Sequence, residues 1–198
     1  LDVPSNQSSA IGGQLENVSR NIHIGQGPKD GQGVPSGWDG LIAEFILFNE
    51  KINSAQRIII ENYLSSKYSI AIPVVNDHFS YDGSYKYDLA GIGQESATED
   101  HRNATSAGIM NISNPDNLND GDYLLFAHDN GSISNWSLDV PGGIKRFERV
   151  WRFQKTGTVG SVDLTLITDL LPAPVDPSCP KYVLLLYFDG DFSTVDEV

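Results

Sequence analysis

GLIAEFILFNEKINSAQRIIIENYLSSKYSI, residues Gly40–Ile70, places an apolar run beside one amphipathic helix in a chain that elsewhere reads as short strands and turns. Leu41–Phe48 is apolar except at Ala43-flanked Glu44, which predicts a strand covered on both faces and seated inside a core. Asn53 stands three residues before Gln56, a capping-box pair in which each side chain satisfies an orphan backbone N–H, so a helix is expected to start there. Ala55, Ile59, Ile60, Tyr63, Leu64 and Tyr68 recur at three- and four-residue spacing and form its apolar stripe. Arg57, Glu61, Asn62, Ser65 and Ser66 fall on the other face. About 14 residues, 54–67, span roughly 21 Å, enough to lid a sheet but not to build a bundle.

Beyond Pro73 the pattern resets to short β segments, expected at 85–90, 108–112, 123–127, 147–153, 161–167 and 182–188. Val162, Leu164 and Leu166 alternate with Asp163 and Thr165, the signature of a half-buried antiparallel strand. Clusters such as NPDNLNDGD and HDNGS punctuate the segments, and GIGQES (91–96) reads as a loop. The fold class is therefore mainly β, an antiparallel β-sandwich over 73–198 preceded by a unit ending near residue 72.

The 198 residues carry 13 Lys and Arg against 26 Asp and Glu, a net charge of −13 that repels nucleic acid and anionic lipid. No apolar run approaches the roughly 20 residues that cross a bilayer as a helix, so neither a nucleic-acid partner nor a membrane span is expected. Cys179 is the single cysteine and excludes a disulfide framework or a cysteine-based zinc site within the chain.

The closing pattern Ile42-Ala43-Glu44, Asn49, capped helix, Tyr63-Leu64 and Lys67-Tyr68 resembles the C-terminal end of a LamG-like, concanavalin A-type jelly roll. Ser69 stands where that pattern usually has Gly. The stretches YDLAGIGQES, DGDYLLFAHDNGS, ERVWRFQKTGTVGSVDLTLITDL and YVLLLYFDGDFS resemble the β-sandwich domain of unknown function that follows such modules in large Bacteroidota surface or secreted proteins of gliding and adhesin type. The resemblance implies that 1–72 is the incomplete end of a jelly roll closed by the helix. It also implies that 73–198 is a sandwich cut short at its C-terminal end, and that the chain is a piece of a longer extracellular or cell-surface protein. Its partners would be other segments of that protein, neighbouring chains, or glycans.

Asp116, Asp120, Asp122 and Asp129 crowd one turn-rich region, and Asp189 and Asp191 flank a glycine. Calcium takes six to eight oxygens from such flexible loops, which makes these six the metal candidates and calcium the candidate cofactor, beside the plainer reading of them as solvated turn acids; no complete EF-hand is present. Trp38 and Trp136 lie beside polar loops and are the candidates for stacking on a sugar. No residue is assigned a catalytic role. Glu44 lacks the second strand carboxylate a glycosidase needs, His23, His78, His101 and His128 are scattered, and no nucleophile elbow or phosphate loop occurs. The expected function is a non-enzymatic structural or adhesive module, with a carbohydrate-binding module or an accessory segment of a hydrolase as alternatives.

Overall fold

The computed structural model describes residues 40–137, 140, 145–173, 182 and 184–188. The chain divides into two compact units, 1–47 and 48–198. In the first, the described residues 40–47 hold no strand, and Leu41 is 97% exposed and Leu47 69% exposed. The two-face-covered strand expected at Leu41–Phe48 thus does not form. Apolarity records a tendency to be buried, whereas a strand also requires a neighbour that accepts its ladder of hydrogen bonds.

The second unit is mainly β, antiparallel throughout, with a single α-helix among the described residues. Helix α1 spans Ser54–Tyr68. The expected capping box is present: Gln56 N–H donates to Asn53 Oδ1 and Asn53 N–H to Gln56 Oε1, both at 2.9 Å. The Asn53 amide also donates to Asp100 O at 2.8 Å, tying the helix start to the sheet below it. Ser69 ends the helix in the left-handed region (φ 54°), the conformation for which glycine is usual.

Strands β1 (Tyr87–Ser96), β2 (Glu99–His101), β5 (Asp122–His128) and β8 (Trp151–Thr156) form one sheet in the order β2-β1-β5-β8. Strands β3 (Asn103–Ser106), β4 (Met110–Ser113) and β9 (Asp163–Leu166) form a second, and β6 (Trp136–Ser137) pairs with β7 (Arg146–Phe147). The period of two along β5 sorts its residues between two cores. Phe126 enters the core between the sheets with Ile92, Ala104, Met110, Ile112, Leu118 and Val159. Tyr123, Leu125 and Ala127 point the other way and pack with Phe79, Leu89, Ile58 and Ile59. The helix expected to cap the preceding jelly roll is therefore packed on the sheet that follows it, giving helix, four strands and three strands as successive layers.

Two details correct the sequence reading. GIGQES is strand, not loop, because Gly91 and Gly93 pair with Leu125 and Tyr123, whose side chains lie across β1. A Cβ at Gly91 would sit 2.2 Å from Leu125 Cδ2 and 2.7 Å from Leu124 O, and one at Gly93 2.2 Å from Tyr123 Cδ1. Glycine marks a close approach within a strand here. On the helix, Asn62 and Ser66 are buried rather than solvent-facing. The Asn62 amide donates to Asn76 O (2.7 Å) and Ile58 O (2.9 Å), and its carbonyl accepts from His78 N–H (2.9 Å), so it fastens the segment leaving the helix. Of the expected strand at 182–188, the described residues 182 and 184–188 hold a lone bridge at Leu186.

Gly91→Ala is accordingly expected to lose about 1–3 kcal/mol of unfolding free energy through overpacking. Gly83→Ala, with nothing within 4 Å of the added carbon, should be neutral or slightly stabilising in the same urea titration. Equal stability of the two variants would contradict the close approach of β1 to its sheet neighbour β5.

Candidate functional site

Asp129 lies apart in space from the acid nearest to it in sequence among these candidates, Asp122. Asp122 opens β5 and Asp129 follows its end, so at about 3.3 Å per residue they lie roughly 23 Å apart. Asp122 is buried, and both its oxygens are occupied: Oδ1 accepts from Thr158 N–H (2.8 Å), Oδ2 from Asn119 N–H (2.8 Å) and the Asn119 amide (3.1 Å). Burial alone would raise its carboxyl pKa. The backbone N–H groups of Asn119 and Thr158, the Asn119 amide and the charge of Lys155 outweigh that and hold it below its ordinary value. Gly157 (φ 71°) has no room for a side chain because Asp122 Oδ1 would lie 1.9 Å from its Cβ.

Asp129 Oδ1 accepts from Gly131 N–H (2.9 Å) and Val150 N–H (3.1 Å), a turn of the Asx kind. Asp120 is exposed and accepts from the Gln94 amide at 2.9 Å, whose own oxygen accepts from Arg102 at 2.9 Å. Asp116 is exposed beside Gly160. Among the described residues no three or more His, Cys, Asp or Glu side chains converge as metal ligands. Asp189, Asp191, Trp38 and Cys179 lie outside the described residues.

Trp136 is half-buried on β6 and stacks on Phe147 of β7, ring centroids 4.4 Å apart, with Tyr182 at 6.1 Å from Phe147. Trp151 packs against the inter-sheet core together with Phe153 of the same strand.

The most organised polar constellation is one that spacing does not reveal. His128, 1% exposed, brings Nε2 to 2.8 Å from Asp88 Oδ2, forty residues away. Nδ1 accepts the Asn130 N–H at 3.0 Å, so the ring proton resides on Nε2 and is donated to Asp88. Asp88 has a left-handed backbone (φ 48°) at the irregularity in the β1–β5 ladder, a bulge that turns its side chain toward the histidine. The Tyr87 ring stacks on His128 at 6.0 Å and Trp151 meets it edge-on at 5.7 Å. Burial lowers the His128 pKa; the Asp88 hydrogen bond opposes it, and the nearby Arg149 reinforces it. With both ring nitrogens engaged and the ring enclosed, the pair is built to hold chain segments together.

A cleft of about 220 Å³ opens at the helix N-terminus, where Phe48, Ile52, Ile59 and Ile60 supply apolar walls and Gln56 and His101 polar ones. It is smaller than the roughly 300–1,000 Å³ of typical small-molecule sites.

Residues 56–198 match the family described as Domain of unknown function (DUF8202), and the chain belongs to that family. No curated protein and no solved structure matches the chain.

Proposed function

We propose that this chain is a non-catalytic structural and adhesive module of a large bacterial surface or secreted protein. The observation that carries the reading is how its strand-end polar groups are used. Asp122, Asp129 and His128 each accept or donate hydrogen bonds that fasten turns, which supports a structural use of these groups. Such turn-locking suits a module that transmits load or presents a surface. The resemblance to LamG-like surface assemblies supports an extracellular setting, and no described helix is long and apolar enough to cross a membrane. The chain coated on beads is expected to retain them on glycan- or matrix-protein-coated glass under flow, and to leave chromogenic glycoside and ester substrates unturned. Retention no better than albumin-coated beads, or turnover lost in His128→Asn, would sink the reading.

The stacked pair Trp136 and Phe147 favours a second reading, carbohydrate binding through an aromatic platform. Glycan-array binding by the intact chain that disappears in Trp136→Ala, with unfolding unchanged, would select it.

A further inference from the structure

Between β5 and β8 the described residues 129–137 and 145–150 carry β6 and β7, and this 129–150 excursion is rooted on one side by His128 and Asp129 and on the other by Arg149 and Val150. The root is tightly knitted. Asp129 N–H donates to Val150 O (3.1 Å), Arg149 N–H to Ser132 O (3.3 Å) and Arg149 Nε to Gly131 O (2.9 Å). Asn130 itself is left-handed (φ 65°), and what holds its N–H inward is the lone pair of His128 Nδ1.

We propose that His128 is an acid-released latch: protonating Nδ1 removes the acceptor for Asn130 N–H and frees the root of the 129–150 excursion from the four-stranded sheet. The chemistry follows from the two nitrogens. Nε2 already carries its proton, so the next proton has one place to go, and it would turn an acceptor into a donor aimed at another donor. Charged groups face the ring from each neighbouring segment. Asp88 from β1 and Asp129 from the root attract a proton to it, and Arg149 from the other side of the root repels one. Tyr87 and Trp151 add only neutral rings, and with the ring 1% exposed, water cannot solvate the new charge until the root opens.

The sign follows from linkage. The folded ring titrates below the ordinary histidine value of 6.5, the opened one near it, so the closed root is fully favoured above 6.5 and loses ground as pH falls from there to the folded value. One proton links the two states, so the open fraction should rise about tenfold per pH unit across that window and then level off.

The test is NMR on the isotope-labelled chain from pH 8 to 4.5, reading the His128 ring nitrogens and the exchange protection of Asn130, Gly131 and Val150 amides, corrected for intrinsic exchange. At neutral pH the ring should show the Nε2–H tautomer, and the three amides should lose protection about tenfold per pH unit below 6.5. The mid-strand Leu125 amide should not follow them. His128→Asn, which offers Oδ1 where Nδ1 stood, should make the protection independent of pH in that window. Arg149→Gln, which leaves the ring in place, should move the histidine midpoint upward. A His128 midpoint at or above 6.5, the Nδ1–H tautomer, or loss of protection that is the same in the wild-type chain and in Arg149→Gln would overturn the latch.

Discussion

Truncating Phe126 to alanine is expected to cost about 3–5 kcal/mol, the largest loss of any single substitution between the sheets. The ring is fully buried at the centre of β5 and stacks on Phe153 with centroids 5.5 Å apart and planes 9° from parallel. It belongs to one buried cluster with Ile92 of its own sheet and Met110 and Ile112 of the facing one. The loss combines the transfer term for a buried aromatic with a cavity that neither sheet can close without shifting its ladder. Against a total stability of roughly 5–15 kcal/mol, that is about a fifth or more of the whole, or a melting point lower by roughly 10 °C in a chain of this size. Phe126→Leu should lose well under half as much. Leu124→Ala, on the same face but only partly buried, should also fall short of it. Urea titrations followed by circular dichroism decide the matter, and a Phe126→Ala loss below about 1 kcal/mol would mean that the two sheets do not close over this residue.

What the sequence disclosed depends on how local the cause is. The start of α1 was legible because a capping box involves two residues three apart, and the outward Asp163 and Thr165 of β9 were legible because alternation needs only the strand itself. Strands β2 and β3, Glu99-Asp100-His101 and Asn103–Ser106, escaped because they put just Ala104 and Ser106 into the interior and read as polar loop. Gly91 and Gly93 were misread for the opposite reason: their meaning lies in side chains of a strand thirty residues on. The same limit governs the sites. Four aspartates between 116 and 129 looked like one oxygen-rich loop, yet β5 carries the last of them to the far end of the sheet. The pairing of His128 with Asp88 leaves no mark in either local sequence, since a ladder register and a bulge bring them together.

Asp122→Ala is expected to destabilise the unit by about 3 kcal/mol, because it leaves the Thr158 and Asn119 N–H groups without their charged acceptor. It also empties the space that makes glycine necessary at position 157. Asp122→Asn should lose less but still measurably, since one of the two carboxylate oxygens is replaced by an NH2 donor facing a donor. The pH dependence has a defined direction. The folded carboxyl pKa lies below the ordinary 3.8, so the stabilisation is complete above 3.8 and is lost as pH falls through the folded value. The wild-type chain should therefore lose stability relative to Asp122→Asn below about pH 4, the gap between them narrowing with acid. Calcium separates this reading from the metal-site expectation. A carboxylate serving as a calcium ligand would give a variant whose deficit grows when millimolar calcium is added, because only the wild-type chain gains binding energy. A carboxylate serving as a turn lock gives the same deficit with calcium and with chelator. Thermal unfolding of the wild-type chain and Asp122→Asn in both conditions distinguishes the two, and a deficit that appears only with calcium would make Asp122 a metal ligand.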